Sequence, residues 1–90
     1  MTAIVNTARE VFGEEIKIWV FGSRVNPKKR GGDIDLYLET KEGYRVEKVL
    51  RFLAKLYTLI GERKIDIILK KEGDTSEIAI EAKTRGVRLW

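Results

Sequence analysis

The chain contains no cysteine and no histidine. Without cysteine it has no disulfide, no thiolate nucleophile and no thiolate zinc site. Without histidine it has no imidazole base, no Ser-His-Asp triad and no imidazole-ligated metal. Any bound metal must then be held by oxygen atoms, which selects Mg²⁺, Mn²⁺ or Ca²⁺. No stretch approaches the run of about eighteen apolar residues that a membrane span needs. The opening residues, Met1 to Glu10, lack the basic-then-apolar order of a signal peptide, so the expectation is a cytoplasmic protein.

What remains is an ordinary globular chain with a heavily charged surface: 90 residues, 43% hydrophobic and 36% charged. That length supports one core, so residues 1–90 are expected to form a single domain. The net charge of +4 suits anionic partners such as nucleotides or nucleic acid. The excess is uneven, with Lys28-Lys29-Arg30 forming one cluster and Arg85 and Arg88 lying near the end.

Periodicity divides the chain into short elements. Ile4, Val5, Ala8, Val11 and Phe12 mark one helix face over residues 3–12, with Thr2 able to cap it and Gly13 to end it. Ile16 to Phe21 is short and rich in β-branched and aromatic residues, which predicts a buried strand. A second strand covers 33–39. The longest amphipathic helix carries Val46, Val49, Leu50, Leu53, Leu56, Tyr57 and Ile60 inward, with Arg45, Lys48, Arg51 and Lys55 outside. Lys64 to Leu69 is a third strand with Asp66 among apolar neighbours, and Thr75 to Lys83 a last helix with Ile78, Ala79 and Ala82 inward. Val87 to Trp90 is either a short edge strand or a tail. The expected fold class is α/β (α+β), a small mixed sheet with helices packed against it.

The chemistry centres on Gly22-Ser23 and the residues that follow, ending in Gly31-Gly32-Asp33-Ile34-Asp35. On a strand, Asp33 and Asp35 point the same way, their Cα atoms roughly 6–7 Å apart. Two carboxylates so placed repel each other unless a cation sits between them, and they can straddle metal ions about 3.5–4 Å apart. A buried strand carrying Asp66 needs a partner for it. Gly22-Ser23 before a helical turn would turn free N–H groups toward a ligand. Singly, each signal has an ordinary explanation: acids flank many strands, Asp66 could pair with Lys64 or an arginine, Gly-Ser is usually a turn, and Lys28-Lys29-Arg30 is usually a solvated loop.

The ordered set carries more than its parts. A strand ending in Gly22-Ser23, nine further residues, Asp33-x-Asp35 on a strand, a long helix and Asp66 on a third strand resemble the DNA polymerase beta-type nucleotidyltransferases. The chain is most similar to their minimal branch, the MNT proteins encoded beside HEPN partners in prokaryotic toxin–antitoxin pairs, and Arg24 after Gly-Ser fits that branch. The resemblance runs from about Ile16 to Leu69 and implies the nucleotidyltransferase fold. It implies that Asp33, Asp35 and Asp66 hold two Mg²⁺ ions (or Mn²⁺), with Asp66 able to take the proton of the attacking hydroxyl. Gly22, Ser23 and Arg24 would grip the phosphates of ATP or another NTP. The implied acceptor is a hydroxyl on a HEPN-domain toxin, which the chain would neutralise as its antitoxin by adenylylation. Two rivals stand beside this reading. One is a catalytically silent antitoxin that binds its toxin, with apolar contact from a tail around Leu89 and Trp90. The other is a small nucleic-acid-binding module built on Lys28-Lys29-Arg30, disfavoured because such a module needs none of the three acids.

Overall fold

Alternation along the strands sorts the side chains onto two faces, and the two faces are covered by different helices. The computed structural model describes residues 2–21, 34–61 and 64–90. In order, these form α1 (Thr2–Phe12), β1 (Lys17–Phe21), β2 (Ile34–Thr40), α2 (Val46–Ile60), β3 (Ile65–Lys71), α3 (Glu77–Arg85) and β4 (Val87–Arg88). The sheet runs β3-β2-β1-β4, with β1 antiparallel to both β2 and β4 and β2 parallel to β3. A parallel pair needs a crossover, which α2 supplies.

On one face Ile18, Val20, Leu36, Leu38, Ile65 and Leu69 meet Ile4, Ala8 and Val11 of α1 and Val49, Phe52 and Leu56 of α2. Phe12 and Phe52 join the two helices edge to face, ring centroids 5.5 Å apart. α1 ends at Gly13, whose φ of 102° is left-handed and whose N–H donates to the Arg9 carbonyl.

α2 differs from its expected burial. Only Val49, Phe52 and Leu56 are buried, a stripe at i, i+3 and i+7. Val46, Leu50 and Tyr57, expected inward, are exposed. They lie about 100° round the helix from that stripe, beyond the arc that a single sheet face can cover. Phe52 was missing from the expected core although it is fully buried.

The end of the chain is docked. β4 pairs with β1, Leu89 donates to the Ile18 carbonyl, and Leu89 packs on the core. The Trp90 indole N–H donates to the Glu14 carbonyl, and the Arg9 guanidinium lies 4.2 Å from its ring centroid. The expectation of Leu89 and Trp90 as a loose tail is therefore corrected, since backbone pairing and a cation–π contact hold both, while Trp90 stays 40% exposed. Gly86 makes this return possible, because a Cβ there would collide with the Ala82 carbonyl oxygen and crowd Val20 and Phe21.

Candidate functional site

The second sheet face is built by the complementary residues of the same strands. On β2 these are Asp35, Tyr37 and Glu39, because Leu36, Leu38 and Thr40 turn the other way. β3 contributes Asp66, Ile68 and Lys70, and β1 contributes Lys17, Trp19 and Phe21. The register sets them in rows: Phe21 opposite Asp35 opposite Asp66, then Trp19, Tyr37 and Ile68, then Lys17, Glu39 and Lys70.

The first row holds the acids. Asp35 and Asp66 are direct Cα partners in the parallel ladder, so their side chains leave the same face of strands about 4.8 Å apart. Both occupy the second position of their strands, at the end where the described chain leaves β1 at Phe21 and re-enters β2. Asp35 is half-buried. Asp66 is exposed, which corrects the expectation of a carboxylate buried inside an apolar strand. β3 is the sheet's edge, and an edge strand leaves its polar face to solvent. What distinguishes Asp66 is its register with Asp35, not desolvation.

Asp33, Gly22, Ser23 and Arg24 lie outside the described residues, as do Lys28, Lys29 and Arg30. Two of the three predicted metal ligands are thus brought side by side, and the structure says nothing of the third. Among the described residues no three acidic side chains group closely enough to hold a metal. The pair supplies only carboxylate oxygens, the donor chemistry that suits Mg²⁺ or Mn²⁺.

Sequence reasoning missed the polar cluster behind the acids. Glu39 is 1% exposed, an ionisable group in the floor of the sheet. The Tyr37 hydroxyl donates to its Oε2 at 2.6 Å, and the Lys83 Nζ of α3 lies 2.6 Å from the same oxygen. Without these partners a buried carboxylate would cost several kcal/mol, on the order of what a whole core side chain contributes. Burial, then the hydrogen bond and charge of Glu39, then the charge of Asp74 hold the Tyr37 phenol well above its ordinary value. Lys83 also lies 5.6 Å from the Trp19 ring centroid, and Arg88 5.0 Å. Ala79 and Ala82, small enough to let α3 sit close, pack on Trp19 and Tyr37. The signal was available: extending the alternation from Asp35 by two steps puts Tyr37 and Glu39 on the acids' face.

A mixed sheet covered by α1 and α2 on one side, with carboxylates in register at the start of the parallel strands β2 and β3 on the other, is the framework of a nucleotidyltransferase-type α+β domain. A family model described as polymerase beta nucleotidyltransferase matches residues 4–90, and the chain belongs to that family. No curated protein matches it. Among solved structures it is similar to a mutant of the toxin–antitoxin pair MntA–HpeT in which two aspartates are replaced by glutamate. That likeness has a TM-score of 0.68 and 18% identity, over 99% of this chain and 70% of the other. A second mutant of the same pair, with a tyrosine replaced by alanine, gives 0.64 and 20% over 99% and 69%. At such identities the likeness shows the shared fold.

Proposed function

We infer that the chain is a metal-dependent nucleotidyltransferase that moves AMP, or another NMP, from an NTP to a hydroxyl on a partner toxin, and that it serves as that toxin's antitoxin. The observation that carries this reading is the placing of Asp35 beside Asp66 on one face, in a chain of the polymerase beta nucleotidyltransferase family. The structural neighbours are toxin–antitoxin pairs, which supports a toxin as partner, and a HEPN-domain protein is the partner that this reading names.

In the reaction the acceptor hydroxyl oxygen forms a bond to the α-phosphorus and the α–β phosphoanhydride breaks, releasing pyrophosphate. Asp35 and Asp66, with Asp33, would hold Mg²⁺ or Mn²⁺. A metal held there would supply a lowered pKa for the hydroxyl and neutralise charge on the leaving pyrophosphate. Asp66, open to solvent on the edge strand, accepts the hydroxyl proton. Asp35, half-buried between Phe21 and Asp66, would hold its metal-binding carboxylate at a fixed strand position. Gly22, Ser23 and Arg24 would grip the remaining phosphates through N–H groups, hydroxyl and guanidinium. The Tyr37–Glu39–Lys83 cluster ties α3 to the sheet behind the acids.

The test incubates the chain and the protein encoded beside it with α-labelled ATP and Mg²⁺. Label on the partner with wild type, and none with Asp35→Ala, supports the reading. No label with wild type, or equal label with Asp35→Ala, overturns it. Toxin neutralisation that survives Asp35→Ala would assign the chain to a binding-only antitoxin.

A further inference from the structure

β3 ends the sheet, and among the described residues no strand pairs with its outer side. Its seven residues run in unbroken register with β2 from Ile65 to Lys71, without a bulge, a glycine or a proline. Those devices, together with charged side chains, are what usually blunt an edge. Only charges remain here, and they are of both signs: Asp66, Lys70 and Lys71. The outward N–H and C=O groups of an edge strand are a template for another strand. What the charges would meet on that strand decides whether they repel it.

For a second copy of β3 the spacing of the charges is self-complementary. Two antiparallel strands related by a two-fold axis through the sheet keep each residue on its own face. With Ile68 opposite itself, Asp66 falls opposite Lys70 twice, their Cβ atoms about 4.5–5.5 Å apart. On the core face the same register sets Ile67 opposite Leu69 and Ile65 opposite Lys71. One rung out, Lys64 falls opposite Glu72, which Lys17 already holds at 3.1 Å. A slip in either direction loses the match. Centred on Leu69, Asp66 meets Glu72; centred on Ile67, Asp66 meets Ile68 and Lys64 meets Lys70. Both partners can be reached, since Asp66 is exposed and Lys70 half-buried. Asp74, the acid that feels Lys70 within the chain, is held below its ordinary value first by hydrogen bonding from Ser76 and only then by the Lys70 charge.

We propose that two copies of the chain join through β3, paired antiparallel about Ile68 into one continuous sheet. The backbone ladder supplies the attraction, and the Asp66–Lys70 pairs fix the register. Lys70 of each copy then stands beside Asp66 of the other, so the pairing adds a cation at the rim of the candidate site. The pairing itself does not rest on nucleotidyl transfer.

Sedimentation equilibrium at micromolar chain concentrations reads the dimer, and charge exchange reads its register. Wild type should dimerise. Asp66→Lys and Lys70→Asp should each weaken the dimer about tenfold or more, by setting like charges opposite each other, and the two together should restore it to within about threefold. Because the chain has no cysteine, Ile68→Cys should give a disulfide-linked dimer on mild oxidation, its two Cα atoms lying about 4.5–5.5 Å apart. Lys64→Cys, about 26 Å from its counterpart in this register, should not cross-link. Asp35→Asn should dimerise like wild type, which separates this interface from the transfer reaction. A monomer throughout, a dimer indifferent to both single charge reversals, a folded double variant that stays monomeric, or cross-linking at Lys64→Cys as fast as at Ile68→Cys would each overturn the proposal.

Discussion

The two faces of the sheet obey the same alternation and yet are held by different physics. Under α1 and α2 the strands present mainly Ile, Leu and Val across the core, and dispersion and water exclusion do the holding. Under α3 the same strands present Asp35, Tyr37, Glu39, Asp66 and Trp19, and the holding comes from a carboxylate shared by a phenol and an ammonium. The first face tolerates any well-sized apolar side chain. The second depends on named atoms, and that is the face with chemistry in it.

That contrast can be broken from either side. The largest loss is expected on the apolar face: Phe52→Ala removes a fully buried ring that also meets Phe12, and should cost about 3–5 kcal/mol in urea unfolding. Next comes Lys83→Met, which strips the counter-charge from Glu39. A fully buried pair broken this way loses about 3–5 kcal/mol, and the loss should be smaller here because the Lys83 side chain is one-third exposed. Adding Glu39→Leu to it should recover much of that loss, an outcome that no purely apolar face would give.

Tyr37→Phe is expected to cost about 1–3 kcal/mol, since Glu39 loses a donor. It also carries a pH signature. The folded-state phenol is raised above its ordinary 10.0, so the folded chain favours the protonated form and its stability falls once pH rises past that value. Thermal melts above pH 10 should fall less steeply in Tyr37→Phe than in wild type.

At the acid end the sign reverses and the effects shrink. Lys55 holds Glu10, Lys48 holds Glu42 and Arg45 holds Glu47 below the ordinary 4.5, each mainly through a side-chain hydrogen bond. Their stabilisation is present above that value and fades as pH falls below it, so melting temperature should drop as pH is lowered past 4.5. Because these pairs are exposed, added salt should flatten that drop.

The smallest stability change and the largest functional one should coincide at Asp66. Asp66→Asn lies on an exposed edge position and should alter stability by no more than about 0.5 kcal/mol. Under the proposed function it should lower label transfer by about a hundredfold or more.

Legibility in the sequence followed the same division. α1 to α3 and β1 to β3 were foreseen within a residue or two, because Gly13, Gly61 and Gly86 punctuate the pattern and the apolar periods are clean, whereas Val87 to Trp90 was left open between an edge strand and a tail. Burial on α2 was misjudged because its apolar arc is wider than the sheet beneath it, and periodicity gives the width of an apolar arc without saying how much of it finds a partner. Asp66 was expected to be buried because a run such as Ile65-Asp66-Ile67-Ile68-Leu69 does not reveal that its strand is the edge. Glu39 was passed over because a charged residue near a strand's end reads as solvated, and its counter-charge, Lys83, comes 44 positions later.

The central claim is that Asp35 and Asp66 hold one divalent ion between them. Titrating Mn²⁺ into the ¹⁵N-labelled chain, with a non-hydrolysable ATP analogue present, tests it through paramagnetic broadening of backbone amides. The amides of both residues should broaden together with one midpoint, and Asp66→Asn should shift that midpoint for Asp35 as well. Broadening at one of them alone, or at neither, would contradict the account.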